Sequence, residues 1–264
     1  MIVHKAVYAS GLRIPPSSSP KSYDRRQHGG RFTWVDLYEP TEEEFDCVTR
    51  ELGLHPLALE FAARNDRWPC VKHYNDQTLL VVLKTVRHVD GTQTLEYGEI
   101  QVLLGAGFIT TVRRGEASKL HNMYQLWLAE REGDWLLRDP LMVLDLIADG
   151  VVGGYSLAVA GLQNSLDKIR PEVSEDPNNA LHRIYRLYGP AIYLRMEARS
   201  LTRILKRLTE EGDSSIDSER GRYLGNVRAH LERVMNNIEG FCNLLSSLLQ
   251  INSTTARTNK YKLW

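Results

Sequence analysis

The sequence predicts an α+β fold, with a mostly antiparallel sheet in the first half and long helices in the second. Three observations lead there. Strand-like apolar runs separated by hairpin-type turns fill residues 70–113. Beyond about residue 135 no convincing strand remains, and apolar residues recur in alternating steps of four and three. The charge divides in the same way: residues 1–155 carry 21 acids and 17 bases, residues 156–264 carry 12 acids and 16 bases, and the whole is neutral. A chain of 264 residues exceeds the usual size of one domain. The reading is a sheet-forming domain over 1–135 and a long-helix region over 136–264.

Ile2 to Ala9 and Phe32 to Leu37 read as short strands, with the turn-rich run Pro15 to Pro20 between them. Thr41 then caps a helix, and Glu44 three residues on completes a capping box. Glu42, Glu43 and Glu44 also suit the positive end of the helix dipole, a better account of three adjacent acids than acid–base chemistry. A short helix is expected from about Pro56 to Arg64. Cys70 to Tyr74 and Thr78 to Val89 follow as strands, then Leu95 to Leu104 and Phe108 to Arg113. Asn75–Asp76, Asp90–Gly91 and Gly105–Ala106–Gly107 supply the turns. From Gly115 and Glu116 an amphipathic helix is expected to about Glu130.

The first heptad series runs from Leu144 through Ile169, the second from Leu187 through Leu208. Pro171 and Pro177 separate them, and Pro190 should kink the second helix by removing one backbone hydrogen bond. The third series is Leu224, Val227, Leu231, Val234, Ile238, Phe241, Leu245 and Leu248. It keeps strict a/d spacing over about four heptads, as a coiled-coil seam does. A helix from about Ser218 to Ala256 would reach ~58 Å and must pack along much of its length, against partners or other copies.

Composition excludes several classes. Zero net charge argues against a general nucleic-acid binder. Cys47, Cys70 and Cys242 lie far apart with no CxxC, which fits neither a disulfide framework nor a zinc knuckle. No run of 18 apolar residues exists, and the N-terminus lacks the apolar core of a secretion signal. No GxSxG nucleophile elbow, phosphate loop, HxH or HxxxH pair is present. Gly150–Val–Val–Gly153–Gly154 lies in a helical pattern and reads as small residues for close helix packing. His55, His73 and His121 read as ordinary histidines rather than metal ligands.

One ordered series of motifs is more specific. Trp34-Val-Asp36-Leu-Tyr-Glu-Pro40 is followed by Leu52-Gly-Leu-His55-Pro-Leu-Ala-Leu-Glu60. Arg67-Trp-Pro-Cys-Val-Lys72-His-Tyr74 and Leu83-Lys-Thr85 come next, then Gly107-Phe-Ile-Thr-Thr-Val-Arg113 and Leu181-His-Arg-Ile184-Tyr-Arg-Leu187. In order and spacing, from about residue 30 to 250, this resembles the cytosolic domain of the CorA family of divalent-cation (Mg2+/Co2+) transporters. The resemblance implies an α/β/α sandwich feeding a long stalk helix, a funnel-shaped homopentamer, and a place at the cytoplasmic face of the membrane. It also implies pore helices and a Gly-Met-Asn selectivity loop, neither of which occurs in these 264 residues. Alone, the sequence offers no helix to span a bilayer.

The departures from the family pattern bear on metal binding. In the family, divalent ions are sensed between subunits by carboxylates, the oxygen ligands that hard cations prefer. At the Asp of the His-Pro-Leu box this sequence has Phe61, although Glu60 remains as a weak metal candidate. On the stalk, Tyr223-Leu-Gly-Asn226-Val-Arg228 places Asn226 where the family has an acid. Gly153 and Gly154 stand in place of a further Asp pair. The expectation is therefore a domain without the usual Mg2+-sensing sites, since the missing charges remove most of the attraction for a dication. Its partners would be copies of itself, divalent cations (Mg2+, Co2+ or, as in the ZntB branch, Zn2+) and the membrane, with no nucleic acid, no cofactor and no catalysis. The alternative is an oligomeric helical scaffold without transport.

Overall fold

The computed structural model describes residues 1–9, 12–14, 31–53, 68–74, 78–105, 107–119, 139–171, 176–211 and 219–261. Seven strands form one sheet: β1 (Ile2–Ala9), β2 (Leu12–Ile14), β3 (Arg31–Tyr38), β4 (Cys70–Tyr74), β5 (Thr78–Val89), β6 (Thr94–Gly105) and β7 (Phe108–Arg114). Their order is β2-β1-β3-β7-β6-β5-β4, and only β3–β7 is parallel. The antiparallel hairpins β4–β5–β6–β7 match the expectation from apolar runs and hairpin turns. Short β2, paired along Val7↔Ile14, carries little apolar signal and is not anticipated from the sequence.

Alternating side chains give the sheet two apolar faces. Val35, Leu37, Leu80, Val82, Leu103, Phe108 and Val112 meet Phe45, Val48 and Leu52 of α1 (Glu42–Leu52). The Thr41–Glu44 capping box forms as expected, and Gly53 (φ 60°) closes α1 in the left-handed conformation that glycine tolerates. On the opposite face Trp34, Val81, Leu83, Ile100, Val102 and Ile109 pack beneath three long helices. These are α2 (Pro140–Ile169), α3 (Pro177–Glu211) and α4 (Glu219–Tyr261). The layers are thus helix, sheet, helix.

Asp139 caps α2 through Leu141 N (2.7 Å), and Pro140 fills its first turn. Among the described residues α2 is the one helix long and apolar enough to cross a membrane, yet most of it is buried against β5, α3 and α4. Pro190 lies inside α3 without ending it. One core cluster joins the sheet to all three helices. Of the helix expected from Glu116 to Glu130, a 3-10 turn at Glu116–Ser118 is seen; residues 120–138 and the expected helix at 56–64 lie outside the described residues.

The stalk seam is buried within the chain. Leu224, Val227, Leu231, Val234, Ile238, Phe241 and Leu245 are buried, with Leu248 half-buried, against α2 and α3 of the same chain. The heptad spacing is real, but its partners are intramolecular. An apolar stripe follows the surface that it covers and does not record whose surface that is.

Candidate functional site

Glu60 and Phe61 lie outside the described residues. Asn226 is exposed on α4, on the side away from the seam. Gly153 faces open space, whereas a side chain at Gly154 would meet the Val86 carbonyl oxygen of β5 at 3.1 Å. Gly154 is therefore a packing position, and an acid there would be driven into the sheet backbone.

What the structure does assemble is a polar junction between α2 and the start of α4. Arg220 donates to Asp145 through Nε (2.7 Å) and Nη2 (3.0 Å), a bidentate pair with Asp145 fully buried. One turn along α2, Asp149 accepts from the Tyr223 hydroxyl at 3.0 Å, with His230 Nδ1 at 3.9 Å on its other oxygen. Burial pushes the Asp145 carboxyl up to about 6, and the Arg220 guanidinium only partly offsets this. Asp145 and Asp149 are thus engaged by donors of α4, which fixes the direction in which the long helix leaves the core. The sequence signal was available: Asp145 and Asp149 interrupt an apolar run at helical spacing.

Beyond the seam, α4 turns Gly225, Asn226, Ala229, Asn236, Gly240 and Asn243 outward, with Arg222, Glu232 and Arg233 exposed among them. Neither Gly225 nor Gly240 has anything near the position of a side chain. Among the described residues no group of three His, Cys, Asp or Glu stands close enough to hold a metal ion.

One juxtaposition of a potential nucleophile and base has no signature in the sequence. Asp90 Oδ1, His88 Nδ1, His88 Nε2 and Ser165 Oγ follow one another at 3.1 and 3.2 Å, in the order of a hydrolytic triad. Ser165 is buried, and its hydroxyl donates to the Gly161 carbonyl at 2.9 Å. One hydroxyl proton cannot serve both neighbours, so Ser165 accepts from His88 and is not activated by it. The arrangement rivets β5 to α2. Gly161 makes room for it, since a Cβ there would lie 2.3 Å from His88 Cγ.

A family model described as CorA-like Mg2+ transporter protein matches residues 29–260. The chain belongs to the CorA-like family. It is similar to the putative metal ion transporter YfjQ of Bacillus subtilis (strain 168), 22% identical over 216 residues, covering 81% of this chain and 66% of that protein. To the cobalt/magnesium transport protein CorA of Thermotoga maritima it is 22% identical over 234 residues, 86% of this chain and 66% of the relative. This CorA-like chain therefore spans 66% of the length of each. The soluble domain of CorA from Methanocaldococcus jannaschii superposes with a TM-score of 0.75 at 14% identity, over 96% of this chain and 98% of that one. The ZntB cytoplasmic domain from Vibrio parahaemolyticus superposes with a TM-score of 0.74 at 11% identity, over 97% and 98%. At such low identity these likenesses establish the fold: a mixed sheet covered by helices and continued by a long one.

Proposed function

We propose that this chain is the cytosolic regulatory and assembly domain of a CorA-like divalent-cation transporter, at the cytoplasmic face of the cell membrane. The family match along residues 29–260 carries this reading. The cargo would be Mg2+ or Co2+, with Zn2+ the choice if the protein follows the ZntB branch. Function then lies in transmission. The α2–α4 junction sets the angle of a helix of 43 residues, ~65 Å long, whose far end would lead toward the bilayer.

In a homopentamer the surface available to copies is the outer stripe Gly225–Ala229–Asn236–Gly240–Asn243, because the apolar seam is already covered. Small residues allow close approach of helices, and the amides offer hydrogen bonds to a hydrated axis. Ion sensing by carboxylates at the family's positions is not part of this proposal. Phe61, Gly153, Gly154 and Asn226 carry no charge, and Glu60 alone is a poor dication ligand.

The test is complementation. The whole reading frame containing this chain, expressed in cells stripped of their own Mg2+ uptake, should restore growth in limiting Mg2+ and sensitise them to Co2+. No rescue from a frame that lacks two apolar stretches of ~20 residues would sink transport and leave the oligomeric scaffold.

A further inference from the structure

Two heptad-spaced series run along α3. The inner one, Leu187 through Leu208, is buried in the core. A second repeats the same steps of four and three on the outward side: Tyr185, Gly189, Ile192, Met196, Arg199, Arg203 and Lys206. Ile192 is half-buried and the rest are exposed, Tyr185 at 67% and Met196 at 51%. At ~1.5 Å per residue this outer series is ~32 Å long. A Cβ at Gly189 would meet nothing within 4 Å, so the surface is hollow there, between Tyr185 and Tyr193 of the adjoining turns. Large apolar side chains this exposed on one helix face are more than scattered surface residues.

The composition of the face changes along its length. Its first two turns and a half, to Met196, are aromatic and aliphatic, with the Tyr193 ring beside them; from Arg199 onward it is basic. Between Pro177 and Thr209 the helix holds seven bases and one acid, Glu197, which is buried. Arg199 pairs with Glu239 of α4 at 3.1 Å and Lys206 lies 3.7 Å from Glu210, yet both pairs stay exposed and contribute little.

We infer that the outward face of α3 docks a helix of another protein, one whose facing positions are apolar at one end and acidic at the other. Heptad spacing lines up the side chains that such a helix would meet, and the hollow at Gly189 receives one bulky apolar residue. Glu or Asp side chains then lie opposite Arg199, Arg203 and Lys206. A second copy of α3 does not fit: a parallel pair sets bases on bases, and an antiparallel pair lays bases on the apolar half. A bilayer fits no better. A helix lying in a membrane surface separates apolar and basic residues onto opposite faces, whereas here they follow one another along the same face. This surface stands apart from the transport reading, because it uses neither the α4 stripe nor a metal ion.

The experiment titrates the purified 264-residue chain into a fluorescein-labelled helical peptide of about 25 residues and follows anisotropy. The peptide carries Leu at the facing positions of one half and Glu at those of the other. A second peptide has Lys for Glu, and vesicles of phosphatidylglycerol and phosphatidylcholine form a third arm. The Glu peptide should bind saturably and more weakly as NaCl rises. Met196→Glu and Arg203→Glu, both at exposed positions, should each weaken it about tenfold or more while leaving the circular-dichroism spectrum unchanged. Absence of saturable binding, equal affinity for the Lys peptide, or parent-like affinity in both variants would each overturn the inference. A chain that sediments with the vesicles and ignores the Glu peptide would make the face a membrane contact instead. Should one variant fail to fold, the other variant and the pair of peptides decide the matter.

Discussion

Asp36 and Arg113 lie in the middle of the protein, 2% and 1% exposed, and are joined by two parallel hydrogen bonds, Nε to Oδ1 at 2.9 Å and Nη2 to Oδ2 at 2.7 Å. They come from the Trp-Val-Asp-Leu strand and the Thr-Val-Arg strand, neighbours in the one parallel ladder of the sheet. The Thr111 hydroxyl donates to Asp36 Oδ1 at 2.6 Å, Trp34 Nε1 donates to the Thr111 oxygen at 3.3 Å, and Arg113 Nη1 reaches the Ser118 carbonyl at 3.2 Å. Two motif residues distant in sequence are thus one satisfied polar network that sets the β3–β7 register.

Removing one member leaves the other charge buried and uncompensated. Asp36→Ala or Arg113→Met should each cost about 3–5 kcal/mol in urea unfolding. The pair of substitutions together should cost clearly less than their sum, because the second removal no longer strands a charge. Strict additivity in a double-mutant cycle would show that the network is not coupled.

The Asp145–Arg220 pair gives a pH dependence whose sign follows from burial. The Asp145 carboxyl sits above its ordinary value, at about 6, so the folded state holds its proton more tightly than the unfolded chain. Its contribution to stability is therefore most favourable at low pH and is lost as the pH rises from about 4 through 6. Arg220 limits that loss. Arg220→Met should cost about 1 kcal/mol at pH 5, where Asp145 is largely protonated, and about 3 kcal/mol or more at pH 8. Urea midpoints at the two pH values check this, and an equal cost at both would refute it.

Gly153 and Gly154 of α2 should respond oppositely to an acidic side chain. Gly153→Asp points into open space and should keep the thermal midpoint within a few degrees of the parent. Gly154→Asp would press a side chain against the Val86 carbonyl, 3.1 Å from its Cβ, and should cost about 2 kcal/mol or more. Gly161→Ala, which collides with the His88 ring, should likewise destabilise by about 1–3 kcal/mol. Circular-dichroism melts separate the three.

The sheet was legible because its strands carry local signals: an unbroken apolar run in Leu79 to Leu83, a turn at Asp90–Gly91, a capping box at Thr41. Those properties depend on a few adjacent residues. The α2–α4 junction was legible only in part: Asp145 and Asp149 break an apolar run, but Arg220 lies 75 positions from Asp145 and carries no local signal of the pairing. The seam shows a different limit. Its periodicity correctly marks a buried face on Leu224 through Leu245, yet a heptad pattern is equally satisfied by α2 and α3 or by a second copy. Gly154 differs again: its role depends on how closely a helix approaches a strand, which no pattern within the helix reports.

Assembly offers the sharpest separation between the two faces of α4. Leu231→Asp places a charge in the intramolecular core and should unfold the chain, whatever its oligomeric state. Ala229→Arg and Gly240→Arg, on the exposed stripe, should leave the monomer folded with an unchanged far-ultraviolet spectrum. If copies meet along that stripe, a bulky charge repeated around the axis forbids close helix approach, and sedimentation velocity should show the oligomer falling to monomers. Because Asn226, Gly153 and Gly154 supply no carboxylates to bridge by metal, the parent oligomer should sediment identically with Mg2+ or with a chelator. A chelator that dissociates the parent would mean that acids elsewhere, Glu60 first among them, hold a bridging ion. An oligomer indifferent to both arginines would place the contact on another face of the subunit.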